Sequence, residues 1–105
     1  MDLQLKRGLL DACVLSVLAR GDSYGYKMVR DMTGRVEISE STLYPILKRL
    51  EAAGCLTVYS VEHNGRLRRF YSITESGRIR LNEFMKDWQE VVSAYNFIKE
   101  GCENE

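Results

Sequence analysis

Arg66, Arg68 and Arg69 crowd into four positions directly after the dipeptide Asn64-Gly65. A second pair of cations, Lys48 and Arg49, follows Ser41 and Tyr44 in the stretch ESTLYPILKRLEAAGCL, residues 40–56. Guanidinium and ammonium groups bind phosphate oxygens, and hydroxyls add hydrogen bonds to phosphates or base edges. Each cluster also has an ordinary explanation. Cations on a helix face aid solubility, and a cation on a sheet edge blocks pairing with another chain. One arginine would do that second job, whereas three at one turn favour an anionic partner.

The rest of the chain offers little other chemistry. It contains no phosphate-cradling glycine loop, no HExxH and no GxSxG. His63 is the single histidine, which leaves most acid–base arrangements without a member. The three cysteines, Cys13, Cys55 and Cys102, are far apart and form no CxxC, so neither a disulfide framework nor a zinc site is expected. Cys13 and Cys55 lie in apolar runs and read as small core residues. The expectation is a protein that is not an enzyme and uses no cofactor and no metal.

Elements must hold those cations in place. A first helix is predicted over roughly 4–19, with Leu9, Leu10, Cys13, Val14, Val17 and Leu18 as a broad apolar stripe. Gly21 and Asp22 end it, and Ser23 is the expected N-cap of a second helix over roughly 23–33. Tyr24, Met28 and Met32 repeat every four residues there, and Gly25 marks a place where close packing excludes a side chain. Gly34 is placed as a C-terminal stop.

The third helix is capped by Ser39 or Ser41 and ended by Gly54, with Leu43, Ile46, Leu47 and Leu50 along one side. Pro45 falls near its start, where a missing N–H costs little. At about 100° per residue, Ser41, Pro45, Lys48 and Ala52 point away from the leucines, flanked by Tyr44 and Arg49.

Segments 56–61 and 67–73 are β-branched and aromatic, and Asn64-Gly65 between them suits a two-residue turn with positive φ at both positions. Thr74 is the expected N-cap of a final helix. Along it Leu81, Phe84, Trp88, Val91, Tyr95 and Ile98 recur at spacings 3, 4, 3, 4 and 3, a heptad-like seam that reads as a dimer interface.

The fold class is therefore mainly α with a small β-hairpin. It is a winged helix-turn-helix over 1–76, followed over 77–105 by a C-terminal dimerisation helix and a frayed tail. In this arrangement the third helix enters the major groove. The chain has 105 residues, 45% hydrophobic and 29% charged, as in a soluble globular protein. No window spans a bilayer and the N-terminus lacks the order of a signal peptide, so a cytoplasmic protein without membrane contact is expected. The net charge of zero hides a division. Residues 1–80 hold 13 Lys+Arg against 9 Asp+Glu, a net +4, while residues 81–105 hold 2 against 6, a net −4. The first part can face a polyanion and the tail should avoid one.

GLLDACVLSVL, DSYGYKM, STLYPILKRLEAAGCL and RRFYSITESG follow one another in the order seen in PadR-type transcriptional regulators. The chain resembles that family over about residues 6–80. The resemblance implies a repressor that dimerises through its C-terminal helix on a palindromic double-stranded DNA operator. It puts Ser41, Thr42, Tyr44, Lys48 and Arg49 of the recognition helix at DNA, Arg66, Arg68 and Arg69 on the wing, and Tyr24 near a phosphate at the start of the second helix. The single short final helix looks like the small subclass, in which multidrug sensors occur. Trp88 is similar in placement to a tryptophan that stacks planar aromatic compounds between two subunits. Leu5, Leu9, Met85, Trp88, Val92 and Tyr95 are the residues expected to line such an effector pocket; the plainer alternative is an interface tryptophan. The rival to the whole account is a winged-helix protein-interaction module with no DNA target, which would not require the three arginines.

Overall fold

Most of the helices begin where a side-chain oxygen takes up an orphan N–H. In the computed structural model, which describes residues 2–103, the order is α1 (Leu3–Ala19), α2 (Gly25–Met32), α3 (Glu40–Ala52), β1 (Leu56–His63), β2 (Arg66–Ile73) and α4 (Glu75–Glu103). Asp2 accepts from the N–H groups of Gln4 and Leu5 at 2.9 and 3.2 Å. Ser39 accepts from Thr42 N–H at 3.3 Å, and Thr74 Oγ1 accepts from Gly77 N–H at 3.1 Å.

α2 is the exception. Tyr24 stands at its N-cap and makes no side-chain cap bond. Ser23, the expected cap, is instead held extended beside β2: it and Tyr71 exchange backbone bonds of 3.2 and 2.8 Å. Those two bonds fix residue 23 as a one-residue strand, and its hydroxyl is buried without a partner.

The α3 stripe behaves as its spacing demands. Leu43, Ile46, Leu47 and Leu50 are buried against Val14, Leu15, Leu18, Met28, Met32, Leu56 and Tyr71. Each such side chain contributes about 1.5–3 kcal/mol by leaving water. On α1 the deepest face is Val14, Leu15 and Leu18, whereas Leu9, Leu10, Cys13 and Val17 are only half-buried. Gly25 meets Tyr44 of α3 so closely that an added Cβ would lie 2.6 Å from its hydroxyl oxygen.

The hairpin is antiparallel, with Leu56 opposite Ile73 and His63 opposite Arg66. Asn64 and Gly65 have φ of 51° and 78°, the positive pair that a tight, right-twisting hairpin needs. Leu56 and Tyr71 anchor its base in the core, and the tip residues 61–67 are all exposed, so the hairpin projects as a wing.

α4 starts on the head and packs along it as far as Leu81 and Phe84 before running clear. Thr74 Oγ1 donates to Gly54 O at 2.7 Å and Thr74 N–H to Cys55 O at 3.0 Å. Gly77 is the single fully buried residue of the helix among those described. The boundary expected after residue 76 thus falls inside the first turn of α4, with no linker between head and helix. The helix continues through Cys102 and Glu103, so the fraying expected beyond Gly101 is not seen in them; Asn104 and Glu105 lie outside the described residues. Its 29 residues run about 43 Å. Beyond Trp88 it exposes Val91, Val92, Tyr95, Phe97 and Ile98 to solvent within one chain.

Candidate nucleic-acid interface

The wing is braced by a ladder of aromatic rings. The Tyr59 ring stacks on Phe70 across the strands at 5.7 Å, and Phe70 meets Tyr24 edge-on at 5.2 Å. Tyr59 Oη donates to the Asp22 carboxylate at 2.6 Å, tying β1 to the loop before α2. That bond, with some burial and the same negative charge, pushes the Tyr59 phenol above its ordinary range.

On this ladder the arginines acquire fixed places. The Arg68 guanidinium lies over the Tyr24 ring at 4.2 Å from its centre, and Arg69 over Tyr71 at 5.8 Å. A guanidinium face against a ring is favourable and leaves the N–H edges free for an anion.

Between wing and helices lies a groove of about 600 Å³. Tyr24, Tyr26, Glu40 and Tyr44 line its helix side, and His63, Arg66, Arg68 and Arg69 its wing side. The Tyr44 phenol is held above its ordinary range, first by burial, then by the Glu40 carboxylate and Tyr71, with Arg69 opposing. Five of the expected contacts, Tyr24, Tyr44 and the three arginines, therefore share one groove.

The remaining α3 residues lie elsewhere. Lys48 stands exposed on the outer ridge with Pro45 and Ala52. Ser41 and Thr42 hydroxyls lie 2.9 and 3.2 Å from Ser39 Oγ at the positive end of the helix. Thr42 also faces the start of α1, across a smaller groove of about 300 Å³ that includes Lys6, Arg7 and Pro45. Lys6 and Arg7 were not among the sequence candidates. Their adjacency was visible, but nothing local says that this end of α1 lies beside α3.

Arg49 is drawn inward. Its guanidinium is ion-paired with Asp11 of α1, whose residue is 7% exposed. An aspartate amid the apolar run of α1 was the available signal, because a buried carboxylate demands a cation.

The expected effector residues are divided within one chain. Leu9 and Met85 share a groove of about 770 Å³ with Cys13, Val17, Met32, Leu81 and Phe84. Trp88 stacks on Phe84 at 5.7 Å and 12° just outside it. Leu5, Val92 and Tyr95 are exposed and line neither groove. Along the seam Leu81 packs on the core, Phe84 and Trp88 are half-buried, and Val91, Tyr95 and Ile98 are exposed. Among the described residues, no helix is long and apolar enough to cross a membrane.

A projecting wing beside an exposed helix, with arginines braced on rings, defines a winged helix-turn-helix. The sequence pattern described as "Transcriptional regulator PadR-like family" matches residues 14–83. The transcriptional regulator Rv3488 of Mycobacterium tuberculosis is 30% identical over 89 residues, covering 84% of this chain and 83% of its own. The structure of smu.1704 from Streptococcus mutans UA159 superposes with a TM-score of 0.81 at 40% identity, over 90% of each chain. PadR of Bacillus subtilis, solved in complex with operator DNA, shares the fold with a TM-score of 0.68 at 23% identity, over 73% of this chain and 45% of its own. The chain belongs to the PadR-like family of transcriptional regulators.

Proposed function

We propose that the protein acts in the cytoplasm as a homodimeric repressor on a palindromic operator, with α3 in the major groove and the wing along the flanking backbone. The observation that carries this is the shared groove, where Arg66, Arg68 and Arg69 face Tyr24 and Tyr44 beside the open ridge of α3. The rings hold Arg68 and Arg69 near one place, so less side-chain freedom is lost when they meet phosphate. The Bacillus subtilis relative of the same fold, seen on operator DNA, supports the assignment. A protein-interaction module would not require three cations braced in this way.

The test is a gel shift on the DNA upstream of the protein's own gene, repeated across a salt series. Three wing arginines and Lys48 on each subunit predict about eight phosphate contacts per dimer, and hence a slope near −7 in log K against log salt. A flat dependence would transfer the assignment to the interaction module.

A planar aromatic effector belongs, in this reading, at the α4 seam. Trp88 and Phe84 present stacked rings, and Val92 and Tyr95 extend the apolar face toward a second copy. Such a ligand releases the operator only if it binds one spacing of the two heads better than the other. Trp88 is the sole tryptophan. Titrating planar cationic or phenolic compounds should therefore quench its emission saturably; no quenching by any of them leaves Trp88 as interface packing.

A further inference from the structure

A buried charge persists only where it is paired. Asp11 sits in the middle of α1, and three helices meet on its carboxylate. Arg49 of α3 is ion-paired with Oδ1, and Arg80 of α4 lies 3.8 Å from Oδ2. Arg49 directly follows Lys48 on the exposed helix, so the carboxylate grips the recognition helix itself. Arg80 follows Gly77 by three residues, on the same side of α4. At Gly77 the helix presses on the head so closely that a Cβ would overlap the Cys55 carbonyl oxygen.

The junction of head and long helix combines the Thr74 bonds to Gly54 and Cys55, the backbone contact at Gly77 and, one turn on, the charge of Arg80. Apolar contacts alone, such as Leu81 on the core, are non-directional and permit a small swivel. The Asp11–Arg49 pair is a charge-assisted bond, which fixes direction as well as distance, and Arg80 at 3.8 Å adds charge attraction from α4.

We propose that Asp11 is a positioning residue. It locks the recognition helix to the dimer helix, and so sets the operator half-site spacing that a pair of heads accepts. This rests on the dimeric DNA-binding reading above. The seam places the two heads, and a stiff joint then makes any error in spacing a strain on protein or DNA. With the joint loosened, each head turns to find its half-site. The ion pairs that hold α3 therefore contribute discrimination between operators without touching one.

The experiment separates this from a stabilising role. The wild-type protein selects duplexes from a randomised pool, and the spacer of the winning duplex is lengthened or shortened by one base pair, a rotation of about 34–36°. The readout is the ratio of Kd on the altered spacer to Kd on the selected one. Wild type should lose about tenfold or more, the scale of one mismatched base pair. Asp11→Asn and Arg80→Gln should each lose less than about threefold, while binding the selected duplex within about threefold of wild type.

A pair that only stabilises the fold would weaken binding to every duplex alike. Equal ratios in variants and wild type, or uniform weakening, overturn the proposal. If Asp11→Asn fails to fold, Arg80→Gln carries the test, because its side chain is 46% exposed and leaves the Asp11–Arg49 pair in place. A wild-type protein that enriches no sequence from the pool overturns the DNA-binding reading itself, a result distinct from unchanged ratios.

Discussion

Replacing Arg66, Arg68 and Arg69 together by serine is expected to lower DNA affinity by about two to three orders of magnitude near 0.1 M salt, with the dimer intact. The two subunits of the proposed dimer lose six cations between them. At roughly 0.9 per phosphate, the salt slope should shrink by about 5 if every arginine meets one. The drop must come from lost contacts, because the wing tip holds little of the fold. Arg66 and Arg69 are exposed, and Leu67 between them is 76% exposed. Surface changes of this kind alter stability by about 0.5 kcal/mol or less each. Arg68 adds the loss of its contact with Tyr24, about 0.5–1 kcal/mol. Gel shift across a salt series measures affinity and slope together, and sedimentation reports the dimer. An unchanged slope would mean that the wing points away from the duplex.

Local spacing along the chain carries some of these features and not others. The outer face of α3 could be computed because its leucines keep one strict spacing, and Lys48, Pro45 and Ala52 lie where that spacing puts them. The wing was legible because Asn-Gly demands a backbone that few other dipeptides adopt. α1 was less so. Its run from Leu9 to Leu18 is apolar on nearly every side, so periodicity does not choose a face and Leu15, among the most deeply buried residues, does not stand out. Long-range pairings left no local trace at all. Ser23 looks like a cap because its neighbours say so, and Tyr71, far along the chain, decides otherwise. Arg49 obeys the helical wheel to the extent of flanking the exposed ridge, yet a carboxylate on another helix turns its head group inward. The effector residues are a different case. Leu5, Val92 and Tyr95 face outward in one chain, so any cavity among them needs a second copy to close it.

That second copy governs the other large effect. Val91→Glu combined with Tyr95→Glu should produce a monomer and cut affinity for a two-half-site operator by about 10²–10⁴, the usual gain from linking two binding events. Affinity for a single half-site should barely change, because both residues lie outside the core and outside the groove between wing and helices. In one chain Val91 is 48% and Tyr95 55% exposed, and neither belongs to the core, so the substitutions remove little packing within the subunit. In the proposed dimer they place four carboxylates along the seam, where residues 81–105 of each chain already carry a net −4. Helix α4 has its own stake in this pairing. Past Trp88 it runs 15 further residues to Glu103 with an apolar face exposed to solvent. Isolated helices of about 12–15 residues are marginal in water. Separation of the subunits should therefore also unwind this half of α4, visible as a fall in helical circular dichroism that tracks the sedimentation change. A variant that stays dimeric with full helicity would place the contact between subunits on another surface.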